Sequence, residues 1–198
     1  MQKIISFSSV RYSAFHWRYQ ASLPWKIASA VLAAGVIGLL AQVRIPFFPV
    51  PFTGQTFGAI MAGVMLGRRW GGVSLAIYAV LGLVGVPWLA GAACGFSPSS
   101  GYLLGFVLAA LFLGYVVNRK PEYRSFSKMF GLMLFASLVL IYLPGVLWLG
   151  FWMRNISGGT VTLASVFAVG ILPFIAGDIL KSGAAAALAQ IILPKNRL

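Results

Sequence analysis

From residue 27 to 43 the chain carries no charged side chain, and uncharged or nearly uncharged runs of this kind recur to its end. The further runs are 55–66, 73–86, 102–117, 129–149 and 173–193, with a weaker one at 161–172. A hydrocarbon layer offers no partner for backbone N–H and C=O groups, so stretches this apolar and this long fold as helices that satisfy their own backbone. About 20 residues span a core of about 30 Å, and 198 residues leave room for six passes and no separate soluble domain. The runs 55–66 and 73–86 are short for that thickness, which predicts little tilt and burial among neighbours. Composition agrees, because 60% of residues are apolar and only 9% are charged, against about a quarter charged in a soluble domain.

The connections read as clearly as the runs. RIPFFPVPF (44–52) holds Pro46, Pro49 and Pro51, which exclude a continuous helix and predict a rigid loop or re-entrant segment. GRRWGG (67–72) reads as a turn at a membrane face, and PWLAGAACGFSPSSG (87–101) as an uncharged loop lining a cavity. Pro173 suits the first turn of the last helix. The first twenty residues mix basic and aromatic side chains without the apolar core of a signal peptide, so 1–25 is read as a cytoplasmic, membrane-surface arm. The membrane domain is then 26–193, and 194–198 is a cytoplasmic tail.

A net charge of +13 points to nucleic acid in a soluble protein, but here the basic residues sit in the connections. With six passes from a cytoplasmic N-terminus, the inner connections hold twelve of them: Lys3, Arg11, Arg18, Lys26, Arg68, Arg69, Arg119, Lys120, Arg124, Lys128, Lys195 and Arg197. The outer ones hold Arg44 and Arg154. Such a bias predicts both termini inside, the loops at 44–54 and 87–101 outside, and no nucleic-acid partner. Trp25 and Trp70 then fall at the inner interface, and Trp88, Trp148 and Trp152 at the outer one.

Two charges remain inside a span. Asp178 and Lys181 are three residues apart, hence nearly on one helix face, where each costs about 2.5 to 3.5 kcal/mol at the membrane centre. One reading is a mutual ion pair that locks helix packing. The other is a polar site under the outer loops, suited to a small, partly apolar acid, with Lys181 meeting an anionic group and Asp178 accepting from N–H donors. In the first helix, Ala30, Ala34 and Gly38 recur every four residues, a spacing that serves either partner docking or internal packing.

Several classes are excluded. Cys94 is alone and no Cys/His cluster has ligand spacing, so disulfide, zinc and other metal sites are not expected, nor is a cofactor. LKSG (180–183) lacks the glycines of a phosphate loop, so the chain itself does not hydrolyse ATP. The one histidine, His16, lies in the arm, and the two acids, Glu122 and Asp178, fall on opposite sides of the membrane, so hydrolytic constellations are absent. A binder or conduit is expected rather than an enzyme.

The segments AQVRIPFFPVPFTGQT (41–56), GVMLGRRWGG (63–72), GVPWLAG (85–91), GYLLGF (101–106) and GDILK (177–181) together resemble the BioY family, the biotin-specific substrate-binding (S) components of energy-coupling-factor (ECF) transporters. The likeness covers roughly 26–193. It implies an all-α membrane protein of six transmembrane helices, both ends inside, with the first and third outer loops capping an external pocket. It also implies biotin capture at a bacterial plasma membrane, and a membrane coupling protein and two ATPase subunits as partners, with the Ala30/Ala34 face as the docking face. Homo-oligomers are compatible with it. The family's Asp and Lys that contact biotin match Asp178 and Lys181. Thr53, Gln55 and Tyr102 are candidate further polar contacts, and Trp88 a candidate apolar wall. The third loop departs from the family pattern: AGAACGFSPSSGY (90–102) is shortened, with Ala92, Ala93 and Cys94 near the place of an amide side chain, so that either Ser97, Ser99 or backbone amides substitute or the affinity is lower. Transport of another vitamin, or a structural membrane subunit without ligand, are the alternatives.

Overall fold

The fold is taken from a computed structural model, which describes residues 15–16, 20–156, 158 and 161–194. Most of the arm 1–25 and of the tail 194–198 therefore lies outside the described residues. Helix α1 is Leu23–Gln42, with Pro24 in its first turn, where a missing N–H costs nothing. A two-stranded antiparallel hairpin follows, β1 (Arg44–Ile45) and β2 (Phe52–Thr53), paired Arg44 to Thr53 and Ile45 to Phe52. Then come α2 (Gln55–Val84), α3 (Ser100–Arg119), a 3-10 turn (Pro121–Arg124), and α4 (Phe126–Phe135), continued through a π-helical stretch (Ala136–Ile141) into α5 (Tyr142–Asn155). Helices α6 (Leu163–Gly170) and α7 (Leu172–Ile192) end the described chain.

Among the described residues four stretches are long and apolar enough to cross a membrane: Leu23–Gln42, Ser100–Arg119, Phe126–Asn155 and Leu163–Ile192. Their outward faces carry exposed Leu32, Leu39, Leu108, Leu147 and Leu180, a surface that suits lipid and not water.

The expected turn at 67–72 is corrected in detail: only Gly67 leaves helical geometry, at φ 77° and ψ −179°. The break is nonetheless sharp. Nine residues of straight helix would separate Ala62 from Gly71 by about 13 Å, yet a methyl group on Gly71 would lie 2.8 Å from the Ala62 carbonyl. Gln55 and Tyr78, about 34 Å apart along a straight helix, are hydrogen-bonded at 2.5 Å. The limbs of α2 on either side of Gly67 thus fold back on each other. Glycine permits this, because a side chain disfavours positive φ.

Helix α3 lies along α2 and also meets α5 and the π stretch, while α7 packs on α4 and α2. Ala30 and Ala34 are fully buried, and Gly38 lies against Trp88. That face of α1 is turned into the bundle toward α2, a position in which the spacing serves internal packing. Of the arm, Phe15 is buried with the Arg124 guanidinium 5.4 Å from its ring, and Arg124 itself donates to the carbonyls of Val117 and Pro194. These contacts gather both ends of the described chain at the 120–125 connection.

Candidate functional site

The hairpin and α7 create the site together. Pairing of β1 with β2 holds Phe52 and Thr53 over the middle of α7, where Gly177 leaves room for the Phe52 ring. Phe52 stacks on Phe174 with ring centres 6.2 Å apart and planes within 3°. Asp178 and Lys181 follow on the same face of α7 and form an ion pair of 2.5 Å, Asp178 being only 2% exposed.

Each charge has further partners. Lys181 Nζ donates to the Thr53 carbonyl at 2.9 Å and stands 3.9 Å from the centre of the Phe52 ring, a cation–π arrangement. An ammonium has three donors, and Thr53 and Asp178 take two, so one remains for the cavity. Tyr142 donates its hydroxyl to Asp178 Oδ2 at 2.6 Å. Asp178 Oδ1 is buried against the ammonium and takes no hydrogen bond from another described residue.

Around this pair a narrow cavity of about 50 Å³ is lined on one side by the hairpin, through Phe52 and Thr53, and on the other by Phe106, Ile141 and Tyr142. Leu89, Ala90 and Ser99 of the third loop close it. Five of the six candidate binding residues line it: Thr53, Gln55, Tyr102, Asp178 and Lys181. Two carry tasks other than those expected. Tyr102 commits its hydroxyl proton to the Gly170 carbonyl at 2.7 Å, tying α3 to the end of α6, and presents its ring to the cavity. Gln55 accepts from Thr53 Oγ1 at 2.8 Å and donates to the Tyr78 hydroxyl, so both ends of its amide are engaged.

Trp88 does not line the cavity. Its ring packs on Tyr78, its Nε1 donates to the Tyr78 carbonyl at 3.0 Å, and its neighbours Leu89 and Ala90 face the site instead. Trp88 is a support of the third loop. The aromatic wall is built by Phe52, Phe106 and Phe174.

The shortened third loop is held from an unexpected direction. Gln42, at the end of α1, accepts from the Ala92 N–H at 2.8 Å and donates to the carbonyls of Trp88 and Leu89. Ser99 reaches the cavity and Ser97 hydrogen-bonds to it at 3.0 Å, so Ser99 is the hydroxyl that stands nearest to the role of the missing amide. Tyr142, Phe52, Phe174 and Gln42 were not singled out in the sequence. The available signal for Tyr142 was a hydroxyl within the apolar run 129–149, where a buried Tyr O–H requires an acceptor. The π stretch just before it admits an extra residue per turn and aims Ile141 and Tyr142 at the cavity.

Comparison with known proteins fits this geometry. The chain is 48% identical over 140 residues to a protein named probable biotin transporter BioY of Methanothermobacter thermautotrophicus, covering 69% of this chain and 89% of that one. It is 31% identical over 178 residues to the biotin transporter BioY of Rhizobium etli, covering 84% of this chain and 91% of the relative. Its fold matches the crystal structure of the S-component for biotin from an ECF-type ABC transporter with a TM-score of 0.70 at 23% identity, over 83% of this chain and 88% of that chain. The BioY family model matches residues 15–197, and with an ion pair under a Pro-rich hairpin at its centre, this chain belongs to the BioY family.

Proposed function

We propose that this chain captures biotin as the S component of an ECF-type transporter and serves its uptake across the plasma membrane. The observation that carries the reading is the Asp178–Lys181 pair, set in an aromatic cavity between the hairpin and the third loop. Biotin offers a carboxylate, an apolar arm and sulfur ring, and a ureido group with two N–H donors and one strong acceptor. Asp178 accepts a ureido N–H, the free donor of Lys181 serves a ligand oxygen, and Phe52, Phe106 and Phe174 take the apolar parts. A cavity of about 50 Å³ holds a few waters. Admission of a bicyclic ligand therefore requires the hairpin or the third loop to move outward.

The same reading assigns six crossings with both termini in the cytoplasm. The two limbs of α2 count as separate passes, supported by their reversal at Gly67, and the twelve-to-two distribution of Lys and Arg sets the direction. The site then opens outward. Membrane coupling and ATPase subunits supply the energy for release, since this chain carries no phosphate loop of its own.

Retention of radiolabelled biotin by the purified chain, with unlabelled biotin, desthiobiotin and thiamine as competitors, tests the proposal. Saturable retention displaced by biotin and not by thiamine is expected. Displacement by thiamine would assign the site to another vitamin, and no retention by folded protein would leave the structural-subunit reading.

A further inference from the structure

Away from the cavity, at the opposite end of the bundle, Arg68 lies where two grooves on the membrane-facing surface meet. One groove, about 560 Å³, runs between α2 and α3 and is floored by Gly72, Val73, Val107 and Leu111. The other, about 470 Å³, runs on the far side of Leu111 along Leu108, Phe112 and Leu140. Arg68 lines both, and Leu111 is the ridge between them.

Cationic groups gather at this junction, and among the described residues none of them meets a carboxylate. The guanidinium groups of Arg68 and Arg119 stand 5.3 and 4.8 Å from the centre of the same Tyr115 ring, and Arg119 donates to the Tyr115 hydroxyl at 3.1 Å. Arg69 follows directly and rests over Trp70 at 5.7 Å. Among the described residues the only ion pair is Asp178–Lys181, so these three arginines have no carboxylate partner. Their position is fixed by the backbone: α3 presses Gly114 onto Gly67 and Arg68, at the turn between the limbs of α2.

From this arrangement we infer that the chain holds one anionic glycerophospholipid at the Gly67 turn. Its phosphate is met by Arg68 and Arg69, and its two acyl chains lie in the two grooves on either side of Leu111. The charge supplies the preference for an anionic head group, and the division of the groove supplies the preference for two chains. The Tyr115 ring, with two guanidinium groups beside it, sits at the depth of the polar head groups, where amphipathic rings are favoured. This inference is independent of the vitamin bound. It takes from the proposed topology only that this end of the bundle lies at the cytoplasmic leaflet.

Native mass spectrometry of the full chain, exchanged from detergent into equimolar dioleoylphosphatidylglycerol and dioleoylphosphatidylcholine, tests it whichever way the chain is oriented. Phosphatidylglycerol adducts should persist at collision energies that strip phosphatidylcholine. Arg68→Gln with Arg69→Gln should lower that retention by about tenfold or more. Leu111→Trp, which fills the grooves and keeps every charge, should lower it as well. Thermal unfolding in detergent reports whether each variant is folded, and its midpoint should be unchanged. Glycerol phosphate, a head group without chains, should not displace the lipid. Equal retention of the two lipids, retention unaffected by the arginine pair, or displacement by glycerol phosphate would each overturn the inference. A lipid-free dimer would overturn it too, by assigning the grooves to a second copy of the chain.

Discussion

At the scale of the residue, Asp178 and Lys181 hold each other and also face the cavity. Taking two charges into a membrane interior is costly, and removing one partner leaves the other buried without compensation. Lys181→Met alone should therefore destabilise the folded chain by up to about 3 to 5 kcal/mol, read as a fall in thermal midpoint in detergent. Asp178→Asn combined with Lys181→Met should recover most of that loss, because no net charge stays buried. Biotin binding should fail to recover in the double variant. A double variant that binds as the wild type does would reduce the pair to a packing device. The pair was legible in the sequence because two charges in an otherwise apolar run have few explanations. Tyr142 was not, because spacing alone does not say which face of a long apolar helix turns inward.

At the scale of the element, the hairpin and α7 work as one unit. A methyl group on Gly177 would clash with the edge of the Phe52 ring, which in turn covers Lys181 and stacks on Phe174. Gly177→Ala should displace the hairpin and weaken biotin binding by tenfold or more, about 1.4 kcal/mol, with helix content by circular dichroism unchanged. Unchanged affinity would mean that the hairpin does not shape the bound state. The prolines of 44–52 announced an irregular segment, yet they did not show that residues 44–45 would pair with 52–53 as strands. The reversal in α2 was half legible: Gly67 and the arginines marked a turn, while helical geometry resumes directly at Arg68. Small residues every four along α1 were the weakest signal. The same spacing suits an inward or an outward face, and Ala30 and Ala34 prove to be inward.

At the scale of the whole molecule, charge sorts one end of the bundle from the other. The loops around the cavity carry few charges, and the connections at the far end carry the arginines and lysines. Cys94 is exposed on the third loop, so a membrane-impermeant maleimide should label it on intact cells. In a Cys94→Ser background, Ser127→Cys, exposed near the start of α4, should label only after permeabilisation. The reverse pattern would invert the topology and put the cavity inside. A mostly helical chain with several long apolar helices followed from the sequence, because a membrane interior demands that the backbone satisfy itself. The closing of the cavity did not, because it depends on long-range contacts such as Gln42 with Trp88, Leu89 and Ala92, which no local pattern announces.

In the proposed function, biotin is bound by the buried ion pair under the hairpin. Calorimetric titration of biotin into the purified chain and into Asp178→Asn/Lys181→Met, both confirmed as folded by thermal unfolding, tests it most directly. Saturable, equimolar binding is expected of the wild type and none of the double variant. Equal affinities in the two proteins would contradict it and place the ligand elsewhere.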